Sequence, residues 1–253
     1  MDEITTQKEK KVPLWLIAVS ILLPTSFSAL ATSATNVAIP HISGYFAATD
    51  DEVKWVVTSY MIANACLIML SGWLESLLGR KTFLKVSISI FTLGAFICVA
   101  APSLNVMVFG RFIQGIGGGP MTPMAQTILL SAFPADKKGV AMSLFGLAVM
   151  VFAILGPSFG GFLVDNLSWQ YIYSVNIPIG IVSLLLINKY IADTPHESKQ
   201  QHIDFIGMTA LILWLMSMQI VLDKGQQYNW FDCEWIFWLS IFSLIALTFL
   251  IVW

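Results

Sequence analysis

Charged residues are scarce in this sequence, which has 253 residues, of which 11% are charged and 57% are hydrophobic. Soluble domains usually contain about 25% charged and about 45–50% apolar residues. The mean hydropathy of +0.78 is correspondingly high. A water-soluble fold of this length needs more polar surface, and 13 Lys and Arg against 15 Asp and Glu leave no basic face for a nucleic acid. We therefore expect a membrane protein that binds no nucleic acid.

Cysteine and histidine are also rare, with three of each. Cys66 and Cys98 fall inside long apolar runs and Cys233 lies at the edge of another, so we expect no disulfide. The histidines lie between the runs, without metal-ligand company: His41, His196 and His202. We predict no metal and no cofactor. A membrane-embedded enzyme is the disfavoured alternative, because it needs His, Asp, Glu or Cys grouped at one depth.

Apolar runs of bilayer-crossing length, about 20 residues each, occur eight times. They are Leu14–Asn36, Trp55–Leu74, Phe83–Ala101, Leu104–Leu130, Gly139–Val164, Trp169–Ile187, Phe205–Leu222 and Trp235–Trp253. The runs are continuous and do not alternate as β-barrel strands do, so we predict an all-α polytopic membrane protein. The first run could instead be a signal peptide, but seven further runs favour an uncleaved helix.

Lysine and arginine are distributed unequally between the links. With the N-terminus inside, ten fall on the inner side (Lys8, Lys10, Lys11, Arg80, Lys81, Lys85, Lys137, Lys138, Lys189 and Lys199). Two, Lys54 and Lys224, fall on the outer side, and Arg111 lies within a run. Because positive charge is retained in cytoplasmic loops, we predict a cytoplasmic N-terminus.

Arg111 is the most informative single residue, because an arginine inside the bilayer is costly and marks a functional site by default. The alternative is an arginine that binds backbone carbonyls and fixes helix packing. Gln114 and Gly115 follow it, within a stretch rich in glycine and proline. Such residues allow close helix approach and local bending, so they are compatible with a packing groove or with a moving helix.

A second motif contains Gly72, Gly79, Arg80 and Lys81, and it crosses a short inner loop after the second run. Its two cations complement the negative end of the preceding helix. Anchoring of the chain on the cytoplasmic side is the simpler explanation.

A third motif, in the fifth run, contains Gly156, Pro157, Gly160 and Gly161. Gly156 and Gly160 form a small-xxx-small face, and Pro157 frees a backbone carbonyl. The motif predicts either a tight helix crossing or a hinge.

Together with Asn36-Val-Ala-Ile-Pro40 at the end of the first run, these motifs occur in an order that resembles a known family. The chain resembles the N-terminal portion of a major facilitator superfamily drug:proton antiporter of the fourteen-helix EmrB/QacA type. The resemblance implies a cytoplasmic tail over residues 1–13, a six-helix transporter domain over 14–190, a cytoplasmic link over 191–202 and two additional transmembrane helices over 203–253.

The resemblance also implies a function, which is export of hydrophobic or amphipathic small molecules by proton-coupled alternating access in the plasma (inner) membrane. A periplasmic adaptor and an outer-membrane channel are the implied partners in a host with an outer membrane. The transport motif is then Arg111, Gln114, Gly115, Asn36 and Pro40, with a conformational-switch loop at residues 72–81 and a hinge at 156–161. Met121, Met124 and Phe27 are candidates for a permissive pocket, although core packing is favoured for any one methionine.

Two departures from the family pattern concern carboxylates. Ala31 stands where the family has an aspartate in helix one, and Ser76 stands where the loop motif has another, with Glu75 beside it. None of the 15 carboxylates falls in the core of a predicted span. Coupling must therefore use a carboxylate outside this segment or a different ion.

The missing aspartate mildly favours an alternative, a non-transporting half-transporter or a regulatory membrane subunit. The apolar end at Ala246–Trp253 instead predicts a truncated transporter that does not transport alone.

Overall fold

The computed structural model describes residues 13–191 and 204–253, and every regular element in these two ranges is helical. The predicted tail before Pro13 and the predicted link after Ile191 lie outside the described residues, as do Lys8, Lys10, Lys11, Lys199, His196 and His202.

Ten α-helices are found in the described ranges, and each of them overlaps a predicted apolar run or lies directly before or after one. They are α1 (Leu14–Phe46), α2 (Asp50–Val53), α3 (Trp55–Leu78), α4 (Arg80–Val99), α5 (Leu104–Ala132), α6 (Lys138–Asn166), α7 (Gln170–Ser174), α8 (Asn176–Tyr190), α9 (Phe205–Lys224) and α10 (Glu234–Val252). The predicted all-α fold is confirmed.

Seven helical segments among the described residues are long and apolar enough to cross a membrane. The remaining predicted span, the fourth, forms α5, which has 29 residues but is more polar because it carries Arg111, Gln114 and a run of glycines. Half of its residues are buried against neighbouring helices, chiefly α3 and α4. The other helices therefore shield its polar groups from lipid.

Two boundaries differ from the sequence prediction. Helix α1 continues to Phe46, well beyond the predicted end at Asn36, because Ala38 and Ile42 extend its fully buried face. The sequence predicted that His41 lies in a link, but in the structure it lies within α1. The sixth span is divided into α7 and α8 at Val175.

Glycines on two faces of α5 let its backbone touch the backbones of both neighbours. A Cβ atom on Gly115 would lie 2.5 Å from the Tyr60 carbonyl oxygen of α3. On Gly117, a Cβ atom would collide with the backbone of Ser87 and Phe91 in α4. Side chains larger than hydrogen are excluded at both positions, which places α5 as a wedge between α3 and α4.

Helices α9 and α10 pack on each other and reach the rest of the bundle through α3. The hydroxyl of Thr58 in α3 donates a hydrogen bond to the Asp223 carboxylate. The Lys224 ammonium lies 5.2 Å from the ring centre of Trp55. This arrangement is compatible with the predicted additional pair of helices, whose domain boundary stays a prediction.

The wedge predicts that Gly117→Ala destabilises the protein. The added methyl collides with backbone in α4, and overpacking of this kind costs about 1–3 kcal/mol. Gly146→Ala is the matched control, because a Cβ atom there has nothing within 4 Å. In detergent, thermal unfolding followed by tryptophan fluorescence should show a lower Tm for Gly117→Ala and no loss for Gly146→Ala. Equal Tm values would contradict the wedge.

Candidate functional site

Arg111 lies in the interior of the bundle, with only 1% of its surface exposed. Its Nε donates a hydrogen bond to the Val56 carbonyl oxygen of α3 at 3.1 Å. Its Nη1 donates to the Gln114 Oε1 at 2.6 Å. Arg111 and Gln114 are three residues apart, so they share one face of α5. The wedge position of α5 thus brings both polar side chains to the buried side.

Two tyrosine rings flank the Arg111 guanidinium. Its Cζ lies 4.3 Å from the ring centre of Tyr60 in α3 and 5.7 Å from that of Tyr173 in α7. Such cation–π contacts contribute about 0.5–2 kcal/mol each, and more when water is excluded. The π-faces stabilise the positive charge, but they do not neutralise it.

Both tyrosine hydroxyls reach α1. The Tyr60 hydroxyl lies 3.3 Å from the Ser28 Oγ, and the Tyr173 hydroxyl lies 3.2 Å from the Thr35 Oγ1. The site, which we call the Arg111 centre, therefore joins α1, α3, α5 and α7. We define it as Arg111, Gln114, Tyr60, Tyr173 and the two hydroxyls of α1.

Ala31 lies between Ser28 and Thr35 on the same face of α1 and is fully buried. The spacings of three and four residues place all three side chains toward the Arg111 centre. Position 31, where the family resemblance implies an aspartate, thus lies on the face of α1 that meets the Arg111 centre, and in this chain it holds a methyl group. Within residues 13–191 and 204–253, no carboxylate forms an ion pair with Arg111.

Two nitrogen atoms of the Arg111 centre are buried without a hydrogen-bond partner among the described residues. They are the Nη2 of Arg111 and the Nε2 of Gln114. Buried polar nitrogens are usually hydrogen-bonded, and leaving one unpaired costs about 1–3 kcal/mol, more for a charged group. The centre therefore holds an excess of donors as well as an excess of positive charge.

The predicted transport motif is only partly assembled. Arg111, Gln114 and Gly115 come together, and Gly115 supplies the close approach to Tyr60. Asn36 and Pro40 are exposed along α1, away from its buried face. Their role in transport stays a prediction.

The sequence reasoning missed the residues that surround Arg111, namely Tyr60, Tyr173, Ser28 and Thr35. A signal for two of them was present in α1, because Ser28 and Thr35 are two helical turns apart with Ala31 between them. The two tyrosines are scattered in sequence and carry no local signal.

The switch-loop motif forms the turn between α3 and α4. Gly79 has φ 76°, a left-handed conformation that favours glycine. The Nε of Arg80 donates to the Oε1 of Glu75 at 2.7 Å, so Glu75 supplies a carboxylate next to the position where the family motif has aspartate. Gly72 is exposed with open space around it, and Lys81 lies in the first turn of α4. The Glu75–Arg80 pair is partly exposed and contributes at most about 1 kcal/mol.

The fifth-span motif forms the predicted tight crossing, in which α6 packs on α1. A Cβ atom on Gly156 would lie 2.5 Å from the Ser33 Cβ, and one on Gly160 would lie 2.9 Å from the Ala34 Cα. Gly161 has room for a methyl group. Helix α6 runs without interruption through Pro157, whose ring is exposed. A hinge at this position stays a prediction.

An apolar groove of about 530 Å³ lies along α1 and α6. Its lining includes Trp15, Leu22 and Ser26 from α1 and Leu144 and Phe152 from α6. Phe27 packs next to it, with its ring centre 5.0 Å from that of Phe152.

The two methionines proposed for a pocket do not line this groove. Met121 and Met124 are at most 1% exposed and belong to the hydrophobic core, which agrees with the core packing that was favoured for each methionine. The glycine wedge turns this part of α5 inward, which buries both side chains.

Comparison with known proteins decides the family. The sequence profile described as Major Facilitator Superfamily matches residues 21–253. The chain belongs to the Major Facilitator Superfamily. It is 35% identical over 241 residues to the multidrug export protein EmrB of Escherichia coli (strain K12), and the match covers 95% of this chain and 47% of EmrB. The fatty acid resistance protein FarB of Neisseria gonorrhoeae is 32% identical, with 96% and 48% covered.

Solved structures of the superfamily share the fold. The inward-open xylose transporter XylE from E. coli superposes with a TM-score of 0.65 at 14% identity, covering 84% of this chain and 62% of XylE. The POT family transporter PepTSo gives a TM-score of 0.63 at 13% identity, covering 83% and 48%. The chain is thus a multi-pass membrane protein of the superfamily, and it spans about half the length of the curated relatives that it matches.

The α1–α6 crossing predicts different effects for two adjacent glycines. Gly160→Ala forces a methyl against the Ala34 backbone and should lower the Tm, because overpacking costs about 1–3 kcal/mol. Gly161→Ala is the control, since the nearest atom to its Cβ is the Val37 Cγ1 at 3.9 Å. We expect no loss of Tm for Gly161→Ala in detergent. A larger loss for Gly161→Ala than for Gly160→Ala would show that the crossing is placed wrongly.

Proposed function

We propose that this chain is part of a transporter that exports hydrophobic or amphipathic small molecules from the cytoplasm by alternating access. The observation that supports this most directly is its 35% identity, over 95% of the chain, to a protein named as a multidrug exporter. The residues of the family motifs support it as well. Arg111 is buried, Arg80 forms an ion pair with Glu75, and Gly160 lies where α6 packs tightly on α1.

The apolar groove along α1 and α6 supports a substrate of this class. Trp15 and Phe152 offer aromatic surface, and Ser26 has a buried hydroxyl without a partner in the described part of the chain. Apolar burial is non-directional, so such a lining accepts compounds of different shape. One polar group among apolar surfaces suits an amphipathic molecule.

Transport, and not catalysis, is the proposed activity. No three His, Cys, Asp or Glu side chains lie close enough to hold a metal ion in the ranges that the structure describes. The proposal includes an inner-membrane location and a cytoplasmic N-terminus, which the Lys and Arg distribution supports. The proposal also includes a periplasmic adaptor and an outer-membrane channel, and these two partners are supported by the family resemblance alone.

Energy coupling is proposed to use an acid outside this segment or an ion other than the proton. The support is the methyl group of Ala31 at the position that faces Arg111. A proton relay inside a membrane protein needs a titratable side chain, and neither alanine nor an arginine that stays charged supplies one.

Export by the native protein should depend on the aromatic surface of the groove. Phe152→Ala removes a ring that lines the groove, so we expect the KM for lipophilic dyes in proteoliposomes to rise about three- to tenfold, equivalent to about 1 kcal/mol. Phe96→Ala is the matched control, because Phe96 is 57% exposed on α4. Equal KM values for the two variants would remove the groove from the proposal. Absence of export for every lipophilic compound tested would overturn the function itself.

Introducing the missing acid should change the pH dependence of export. Ala31→Asp places a carboxyl group beside Arg111, and its protonation then becomes part of the transport cycle. We expect the export rate of the native protein to become more steeply dependent on pH, whereas the neutral Ala31→Asn does not show this change. An identical pH profile in all three proteins would count against a role for position 31 in coupling.

A further inference from the structure

The charge of the Arg111 centre is not balanced by any acid among the described residues. We propose that Arg111 and Gln114 form a binding site for one monovalent anion, either a halide ion or the carboxylate group of an amphipathic compound. The site goes beyond the proposed export function, because it assigns a ligand to a group that the family pairs with an internal acid. The unbalanced charge of Arg111 and two unpaired N–H donors support this site.

The positive charge of Arg111 is fully buried. A guanidinium remains protonated in proteins, so burial cannot be relieved by loss of a proton. The groups that contact it are a carbonyl oxygen, an amide oxygen and two tyrosine rings, all of which are neutral. One negative charge from a ligand balances the centre, whereas two would leave an excess of negative charge.

Two nitrogens of the centre, Arg111 Nη2 and Gln114 Nε2, have no hydrogen-bond acceptor among the described residues. The hydrogen bond from Arg111 Nη1 to Gln114 Oε1 fixes the orientation of the amide and leaves its Nε2 free to donate. The Nη2 of Arg111 carries two more N–H groups. Both nitrogens are buried, and they belong to side chains that are hydrogen-bonded to each other. An anion is a ligand that can accept hydrogen bonds from several N–H donors at once.

The ring of Tyr60 covers the guanidinium of Arg111. Its hydroxyl accepts a hydrogen bond from the half-buried Asn64 Nδ2 at 3.4 Å and lies near Ser28. The ring that covers Arg111 is therefore in contact with polar side chains of α1 and α3. Entry of an anion requires the Tyr60 ring to move, which gives up its cation–π contact with Arg111 and two hydrogen bonds that are long.

Direct binding measurements on the purified native protein in detergent test the site without requiring transport. Labelled chloride and labelled decanoate are titrated separately, and each is competed with the other and with decanol. We expect saturable binding of at least one of the two anions. Mutual competition shows one site that accepts both, binding of a single anion identifies the source of the ligand, and decanol should displace neither.

Variants separate the charge from the space that it occupies. Ala31→Asp supplies an internal anion and should weaken binding at least about tenfold. The nearly isosteric but neutral Ala31→Asn should bind within about twofold of the native protein. Gln114→Leu removes one donor and should also weaken binding, which provides a second test should Ala31→Asp not fold. Lys137→Gln removes a distant, exposed cation and controls for non-specific anion binding.

The proposal is overturned if neither anion binds saturably, or if Lys137→Gln weakens binding as much as Ala31→Asp and Gln114→Leu do. It is also overturned if Ala31→Asp binds as tightly as Ala31→Asn. Because no substrate is moved in these measurements, the anion site and the export function can fail independently.

Discussion

The buried charge of Arg111 is the constraint on which the centre of the bundle depends. An uncompensated charge in a protein interior costs about 3–5 kcal/mol, so the surrounding groups must offset it. Here the offset comes from the Val56 carbonyl, the Gln114 amide and the two tyrosine rings. The tyrosine hydroxyls then tie α3 and α7 to α1. Four helices are therefore positioned around one cation.

Glycine makes this placement possible. Gly115 and Gly117 bring the α5 backbone against α3 and α4, so that the polar face of α5 is shielded from lipid by neighbouring helices. Gly156 and Gly160 do the same where α6 packs on α1. Close backbone packing thus positions the helices that surround the buried charge. Movement of α1, α3, α5 or α7 changes the environment of Arg111. This property suits a protein that alternates between two states.

Much of the fold was predictable, because each apolar run is long enough to identify a helix by itself. The extension of α1 to Phe46 was not predictable, since it depends on the tertiary packing of Ala38 and Ile42, and the break at Val175 has no local signal in the sequence. Arg111, Gln114 and Gly115 were identified from one local motif. The partners Tyr60 and Tyr173 come from other helices, and the inward turn of Met121 and Met124 follows from the wedge, so single-sequence periodicity does not reveal them.

The central claim, that Arg111 is a buried cation without an acidic partner, is tested most directly by the melting temperature of Gln114→Glu in low salt. This substitution keeps the shape of the side chain and places a carboxylate within hydrogen-bond distance of the guanidinium. Because a paired charge is less costly to bury than an unpaired one, the account predicts a Tm above that of the native protein, whereas Gln114→Leu should lower the Tm. A Tm for Gln114→Glu that falls as far as that of Gln114→Leu would contradict the account.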